Sequence, residues 1–421
     1  MTYNEALKFI HSLPKFGKST GLERIKELLD ELDNPQNGLK FIHIAGTNGK
    51  GSVCALISNI LISSGKNTGL FISPYIIDFC ERIQVNGQFI SKSALAEFTE
   101  KVCCALQNIN KKHLCEITEF EFITAVAMLY FKYKECDVVV LETGLGGRFD
   151  ATNSVENKIV TVITHIALDH MAVLGDDIEK IAFEKCGILR KNVPLITSSN
   201  QSEKAKKTIC EIAKQKGAPL IIADLEQAKN VCAGIKQTKF EYMGIKAECP
   251  LLGKHQVENI TCAVRTALFM GIEKKFIENG IKNTFFPARL EVVSASPLII
   301  IDGAHNPDGA EVLCNFLKEN KIIPVTVLGM MKDKNTDEVV KKIASVSKSV
   351  VTVDVKNNPR SESANVLKEK AKIYCTDVFA ANNYSSALDF AKKKCKENDS
   401  NLPVLICGSL YLASDIRQML K

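Results

Sequence analysis

Residues 43–52 read HIAGTNGKGS. The stretch approaches the phosphate-loop pattern G-x-x-x-x-G-K-[ST], but Gly51 falls between Lys50 and Ser52. A Gly-rich turn that opens a helix can aim its backbone N–H groups at phosphate oxygens, and the helix dipole favours the negative charge. Thr47, Asn48, Gly49, Lys50, Gly51 and Ser52 form the candidate phosphate site. Lys50 would neutralise the outer phosphates, and Ser52 or Thr47 could hold Mg²⁺. A second candidate is Glu142 in LETGLGGRFDATN. A carboxylate at the end of a strand suits a hard cation, although Glu142 alone could equally cap a helix or sit in a salt bridge. THIALDHMAVLG places His165 and His170 five apart with Asp169 adjacent. A lone histidine is more often structural than a ligand. Lys185, in IAFEKCGILR, reads by itself as an ordinary lysine of an amphipathic helix.

These residues need strand ends to present them. KFIHIAG, DVVVLETG, KIVTVITHI and VPLITSS are β-branched runs bounded by Gly, Asn or Ser. Such runs suit strands buried on both faces of a parallel sheet. Helix-period segments lie between them, and Thr118 to Cys136 is apolar on almost every side. The alternation predicts an α/β fold with a doubly wound, mostly parallel sheet. A second series, PLIIIDGAH, IIPVTVLGMM, SVVTVDV and LPVLICGS, starts at Pro297. At 421 residues, two domains are expected. The Pro- and Ser-bearing stretch FFPARLEVVSASP separates the series and sets the boundary near residue 295. That gives an N-terminal domain of residues 1–295 and a smaller Rossmann-like C-terminal domain of residues 296–421.

Apolar residues at 46% and charged residues at 24% fit a globular chain, and no run reaches the roughly 18–20 apolar residues of a membrane span. The opening MTYNEALKFIHSL reads as an amphipathic helix rather than a secretory signal. The 15 Cys are scattered without a C-x-x-C pair, which argues for reduced thiols and against zinc. The net charge of +6 is spread along the chain, with no basic block interleaved with aromatics, so nucleic acid is not an expected partner. A cytoplasmic monomer is the expectation.

The loop G-T-N-G-K-G-S resembles that of the folylpolyglutamate synthase and dihydrofolate synthase branch of the Mur ligase superfamily. LETGLGGRFDATN resembles that family's second signature, which makes Glu142 a Mg²⁺ ligand. The resemblance of LDH and SP selects His170 and Ser73 as the other two ligands. The E-K-x-G-I match implies a carbamylated Lys185 able to hold a second Mg²⁺. LLGKHQVENITCAV is similar to the family helix whose Asn, here Asn259, contacts the nucleotide, with His255 and Gln256 on the adenine side. PARLEVV supplies Arg289, which the resemblance sends to ATP phosphates. DGAHNP supplies Asp302 to ATP and His305 to the incoming glutamate. Ser409 in CGSLYL is a weaker glutamate-side candidate, and helix capping stays open for both Asp302 and Ser409. Phe16 to Leu29 resembles a loop covering the pterin, Arg82 is placed near the substrate carboxylate or in a structural pair with Glu81, and Asp150, Ala151 and Thr152 lie near the pteroate region. Tyr75 and Cys186 depart from residues common in the family.

The resemblance implies ATP-driven formation of an acyl phosphate on dihydropteroate or on a folate γ-carboxyl, followed by attack of L-glutamate. Lys50, Lys185 and His305 carry the chemistry in that reading. The GLERI and ERI segments fit the bacterial bifunctional type. A Mur ligase acting on a UDP-muramoyl peptide is the alternative enzyme. A nucleotide-binding regulator or transport ATPase would have no need of Glu142, His170, Lys185 and DGAHNP together.

Overall fold

A computed structural model describes every residue except 16, 18, 19, 114, 397–401 and 421. Eight strands form the first sheet: β1 Phe41–Ala45, β2 Thr68–Phe71, β3 Ile83–Val85, β4 Gln88–Phe89, β5 Val138–Glu142, β6 Lys158–Ile163, β7 Leu195–Ser198 and β8 Leu220–Ala223. Their order is β4-β3-β2-β5-β1-β6-β7-β8. From β2 to β8 the neighbours are parallel, and the short β3 and β4 turn back antiparallel. The two-residue turn between β3 and β4 uses positive φ at both Asn86 and Gly87, the hairpin geometry expected of VNG. All five residues of β1 are buried, as a strand covered on both faces requires.

The sheet's register sets the site. Ile44 pairs with Glu142, and Ala45 pairs with Ile163. Three chain segments therefore emerge side by side at the carboxyl edge: the loop after β1, Glu142 at the end of β5, and the His165–His170 stretch after β6. Helix Lys50–Ser63 follows the first of these and is buried along most of its length. Helix Glu119–Tyr133 covers the other face and opens with a reciprocal cap between Thr118 and Glu121.

A three-stranded antiparallel sheet was not foreseen: β9 Lys229–Ala233, β10 Thr238–Tyr242 and β11 Ile245–Cys249. Phe240, Tyr242, Ile245, Ala247 and Cys249 turn to the core shared with helices Lys50–Ser63 and His255–Phe269. The second large sheet contains β12 Glu291–Ala295, β13 Leu298–Ile301, β14 Val325–Leu328, β15 Ser349–Val353, β16 Val378–Ala381 and β17 Val404–Cys407. Its order is β12-β13-β17-β14-β15-β16, parallel except for β12 against β13. Ala295 pairs with Leu298, so residue 295 lies in the first hairpin of this sheet. Among the described residues no helix is long and apolar enough to cross a membrane.

Helix Lys274–Lys282 packs on helix Lys50–Ser63 at very short range. A Cβ added to Gly280 would overlap the backbone of Ile60, which cannot swing aside as a side-chain tip can. Gly280→Ala should therefore lower unfolding stability by roughly 1–3 kcal/mol, measured by urea titration. An unchanged midpoint would contradict this packing.

Candidate active site

The loop after β1 is stitched to the end of β6. Thr47 and Asn48 donate their N–H groups to the carbonyl of His165, at 2.8 and 3.2 Å. Thr164 Oγ1 donates to the carbonyl of Asn48 at 2.8 Å. Thr47 Oγ1 donates to the Ala167 carbonyl at 3.0 Å and accepts from the Ala167 N–H at 3.1 Å. The Thr47 hydroxyl is thus engaged, and Ser52 is buried in the first helical turn. Gly49 caps helix Lys50–Ser63 with φ of 87°, and a Cβ there would overlap Asn259 Oδ1. Gly51, the insertion in the motif, faces Phe286: a Cβ would overlap that ring. Lys50 Nζ donates to the carbonyls of Gly46 and Thr47, at 3.1 and 3.2 Å.

Buried charge surrounds this ammonium. Glu142 accepts from the Ser73 N–H at 3.0 Å, so Ser73 and Glu142 come together. Burial pushes the Glu142 carboxyl above its ordinary range, opposed first by Lys50. Lys185 Nζ donates to the Gly46 carbonyl at 2.8 Å. Burial, and then the Lys50 charge, bring its pKa down to about 7. Burial likewise lowers His170 to about 4 against the pull of Asp169, which keeps the ring neutral near pH 7. Its Nε2 lies 3.4 Å from Lys334 Nζ, so this nitrogen accepts. The charge of Lys50 acts on Glu142, His170 and Lys185 alike.

The second sheet faces the loop. Asp302, after β13, accepts from the N–H groups of Leu290 and Ala304, each at 2.8 Å. Burial raises its pKa, with Arg289 the leading opposing charge. Arg289 lies over the Phe286 ring and donates to its neighbour's carbonyl at Ala288. Asn259 Nδ2 donates to Gln256 Oε1 at 2.9 Å, and Gln256 Nε2 lies 3.1 Å from His255 Nε2. His305 Nδ1 donates to the Gly303 carbonyl at 2.9 Å, which turns Nε2 toward Asp169 Oδ2 at 3.4 Å. Ser409 accepts from the Tyr411 N–H at 3.1 Å, a cap of the last helix.

The remaining expectations fall further out. Asp150 accepts from the N–H groups of Leu145 and Thr152, and the Thr152 hydroxyl meets His43 Nε2 at 2.8 Å. Asp150, Ala151 and Thr152 are all buried, the first and last within a polar chain that ends on His43. Arg82 does not pair with Glu81. It lies over the rings of Tyr75 and Phe79, 3.9 Å from Glu119, while Glu81 accepts from the N–H groups of Ile76 and Ile77. In the expected pterin loop, Phe16, Lys18 and Ser19 lie outside the described residues.

Three groups at the site have no role in the sequence reading: Asp169, Asp308 and Lys334. Asp169 accepts from Lys334 and Asn306 and lies 3.4 Å from His305 Nε2; burial raises its carboxyl, but His305 and Lys334 outweigh this and hold it well below the usual range. Asp308 accepts from Asn48 Nδ2 at 2.6 Å and lies 3.3 Å from His165 Nε2. The other ring nitrogen of His165 is 3.6 Å from Glu258.

Two family models match: the Mur ligase middle domain over residues 44–267, and the Mur ligase glutamate ligase domain over residues 288–410. The chain is 34% identical to the folylpolyglutamate synthase of Lacticaseibacillus casei, over 100% of this chain and 99% of that protein. It is also 34% identical to the dihydrofolate synthase/folylpolyglutamate synthase of Bacillus subtilis, with the same coverage. The chain belongs to the folylpolyglutamate synthase and dihydrofolate synthase family. Its fold is that of the family as well: the Mycobacterium tuberculosis folylpolyglutamate synthase complexed with ADP superimposes with a TM-score of 0.90 at 28% identity, over 99% of this chain and 98% of that one. Likeness over the full length of folate-ligase relatives does not favour the UDP-muramoyl alternative.

The His165 bridge makes a pH prediction. Burial opposes its charge, but the carboxylates of Asp308, at 3.3 Å, and Glu258, at 3.6 Å, outweigh this and push it from 6.5 up to about 10. A raised folded-state pKa contributes stability that is complete below about 6.5 and is lost as pH rises toward about 10. The urea midpoint of the wild type should therefore fall more steeply across that window than the midpoint of His165→Gln. Identical slopes would contradict the bridge.

Proposed function

We propose that this chain joins L-glutamate to dihydropteroate, to the γ-carboxyl of folates, or to both, through an acyl phosphate made from ATP. The observation that carries the reading is a juxtaposition. A lysine-bearing loop beside a buried strand-end carboxylate meets the DGAHNP turn of the glutamate-ligase unit, with Asn48 bonded to Asn306 and Asp308. In this reading the N–H groups from Gly49 to Ser52, with Lys50 and Arg289, hold the ATP phosphates, and Asn259 borders the nucleotide. Asp302 orders the turn that carries His305 to the glutamate side.

Glu142 and the neutral His170 are both acceptors under the charge of Lys50, and Ser73 is joined to Glu142. Mg²⁺ keeps several waters and takes substrate phosphate oxygens beside one or two protein ligands, so a strand-end carboxylate with few protein partners can hold it. When bound there, Mg²⁺ would offset the repulsion between the γ-phosphate and the attacking carboxylate. Lys185, brought down to about 7, has a neutral amine fraction near neutral pH, the form that takes up CO₂ as a carbamate. The carbamate would turn this cation into an anion beside the loop, fit for a second Mg²⁺. The lysine and N–H donors are fixed before reaction, so they stabilise the developing phosphoryl charge without reorganising. Burial of the cleft between the two units keeps water from the acyl phosphate. We place the hinge between them at residues 285–290, where Phe286 rests on Gly51 and Arg289 reaches the second sheet. Residue 295 is too far along, inside the hairpin of that sheet.

ADP release with dihydropteroate, tetrahydrofolate or a UDP-muramoyl peptide, each with and without L-glutamate, tests the reading. Release is expected with one or both pteridine acids and only when L-glutamate is present. Release with the muramoyl peptide alone would overturn it. Lys50→Ala should lower kcat/KM by about 10²-fold or more, as loss of a fixed charge donor does. Glu142→Gln should lower turnover comparably at fixed Mg²⁺, and wild-type turnover in either variant would contradict its assignment.

A further inference from the structure

The two units meet by exchanging carboxylates. Asp169, of the first unit, accepts from Lys334 Nζ at 2.6 Å and Asn306 Nδ2 at 3.0 Å of the second, and His305 Nε2 lies 3.4 Å from it. Asp308, of the second unit, accepts from Asn48 Nδ2 of the first at 2.6 Å and lies 3.3 Å from His165 Nε2. The two asparagines close the ring, with Asn306 Nδ2 donating to Asn48 Oδ1 at 3.2 Å. An interface salt bridge usually contributes little because water and salt screen it. This one differs. The side chains of Lys334 and Asp169 are 11% and 9% exposed, so the ammonium and carboxylate meet largely out of water. Charge-assisted bonds in that setting are strong, and removing one partner strands the other.

We propose that Lys334 and Asp308 are positioning residues that hold the glutamate-side unit closed over the nucleotide loop and couple the two substrate ends. The physical link is Asn48. It belongs to the turn whose N–H groups face phosphate, and its side chain holds Asp308 at the start of helix Pro307–Glu319. A shift of that turn on phosphate binding changes the grip on the helix, and the helix follows directly on His305. Lys334 holds Asp169, in the stretch after β6, and Asp169 in turn accepts from Asn306, which donates to Asn48, and lies 3.4 Å from His305 Nε2. Closure and the aim of His305 therefore depend on the same carboxylate. Differential contacts of this kind are what let one ligand shift a two-state equilibrium that another ligand reads. The inference rests on the ligase reading for its kinetic consequences but not for its geometry.

The test compares wild type, Lys334→Ala, Lys334→Arg and Asp308→Asn as full-length proteins, each shown to be folded by circular dichroism. Small-angle scattering with a non-hydrolysable ATP analogue should give a larger radius of gyration for Lys334→Ala and Asp308→Asn than for wild type. The KM for L-glutamate should rise about tenfold or more in both, while affinity for the ATP analogue stays within about threefold. Lys334→Arg, which keeps the charge, should recover most of the KM. An unchanged radius of gyration in both variants, a fall in analogue affinity as large as the rise in KM, or failure of the arginine to rescue would overturn the proposal. If the wild type released no ADP with either pteridine acid, the ligase reading would fail. The scattering comparison requires no turnover and would still decide the clasp.

Discussion

The charge of Lys50 is the centre on which the site depends. Its ammonium is held by two carbonyls of its own loop. That arrangement fixes a cation just past the end of β1, where its charge reaches the buried Glu142. Glu142, His170 and Lys185 all respond to it. Burial pushes all three toward their neutral forms; the Lys50 charge opposes this at Glu142 and adds to it at Lys185 and, more weakly, at His170. The parallel sheet makes this affordable in geometry, because β1, β5 and β6 deliver their ends in register and leave little freedom in where the groups sit.

The extra glycine in the loop has a packing reason. Phe286, from the segment joining the two units, covers Gly51, and a Cβ there would overlap the ring unless the ring moved. The loop and the connecting segment are thus in direct contact. A residue at the start of the nucleotide helix constrains where the second unit can swing, and the second unit returns the constraint through Asn306, His305 and Asp308. The cleft is accordingly a shared structure, assembled from both sheets, with its polar groups satisfied across the boundary rather than within each unit.

Much of this was legible in the sequence, for physical reasons. Strands buried on both faces must be continuous apolar runs, and the residues directly after such runs are the ones a parallel sheet presents to ligands. That logic placed the loop, Glu142 and DGAHNP, and the doubly wound architecture followed from the alternation. The antiparallel strands β9 to β11 carried a weaker signal. Their apolar residues do alternate, but the β10–β11 turn is Met243-Gly244, with Met in a positive-φ position where Asn or Asp is the usual cue. Asp169, Lys334 and Asp308 were not legible in role. Lys334 and Asp169 are separated by 165 residues, and Asn48 and Asp308 by 260. No periodicity or spacing reports a contact made only when two sheets are brought together. The buried chain from His43 to Thr152 and Asp150 was hidden in the same way, since a histidine in an apolar strand gives no indication of its partner 109 residues on.

The central claim is that this cleft drives transfer of the γ-phosphoryl group of ATP to a carboxylate before the amide forms. Oxygen-isotope transfer measures that step directly. With dihydropteroate or tetrahydrofolate mono-glutamate carrying ¹⁸O in the reacting carboxyl, together with ATP and L-glutamate, one ¹⁸O should appear in each inorganic phosphate released alongside ADP. Unlabelled phosphate, or label found in AMP instead, would contradict the account.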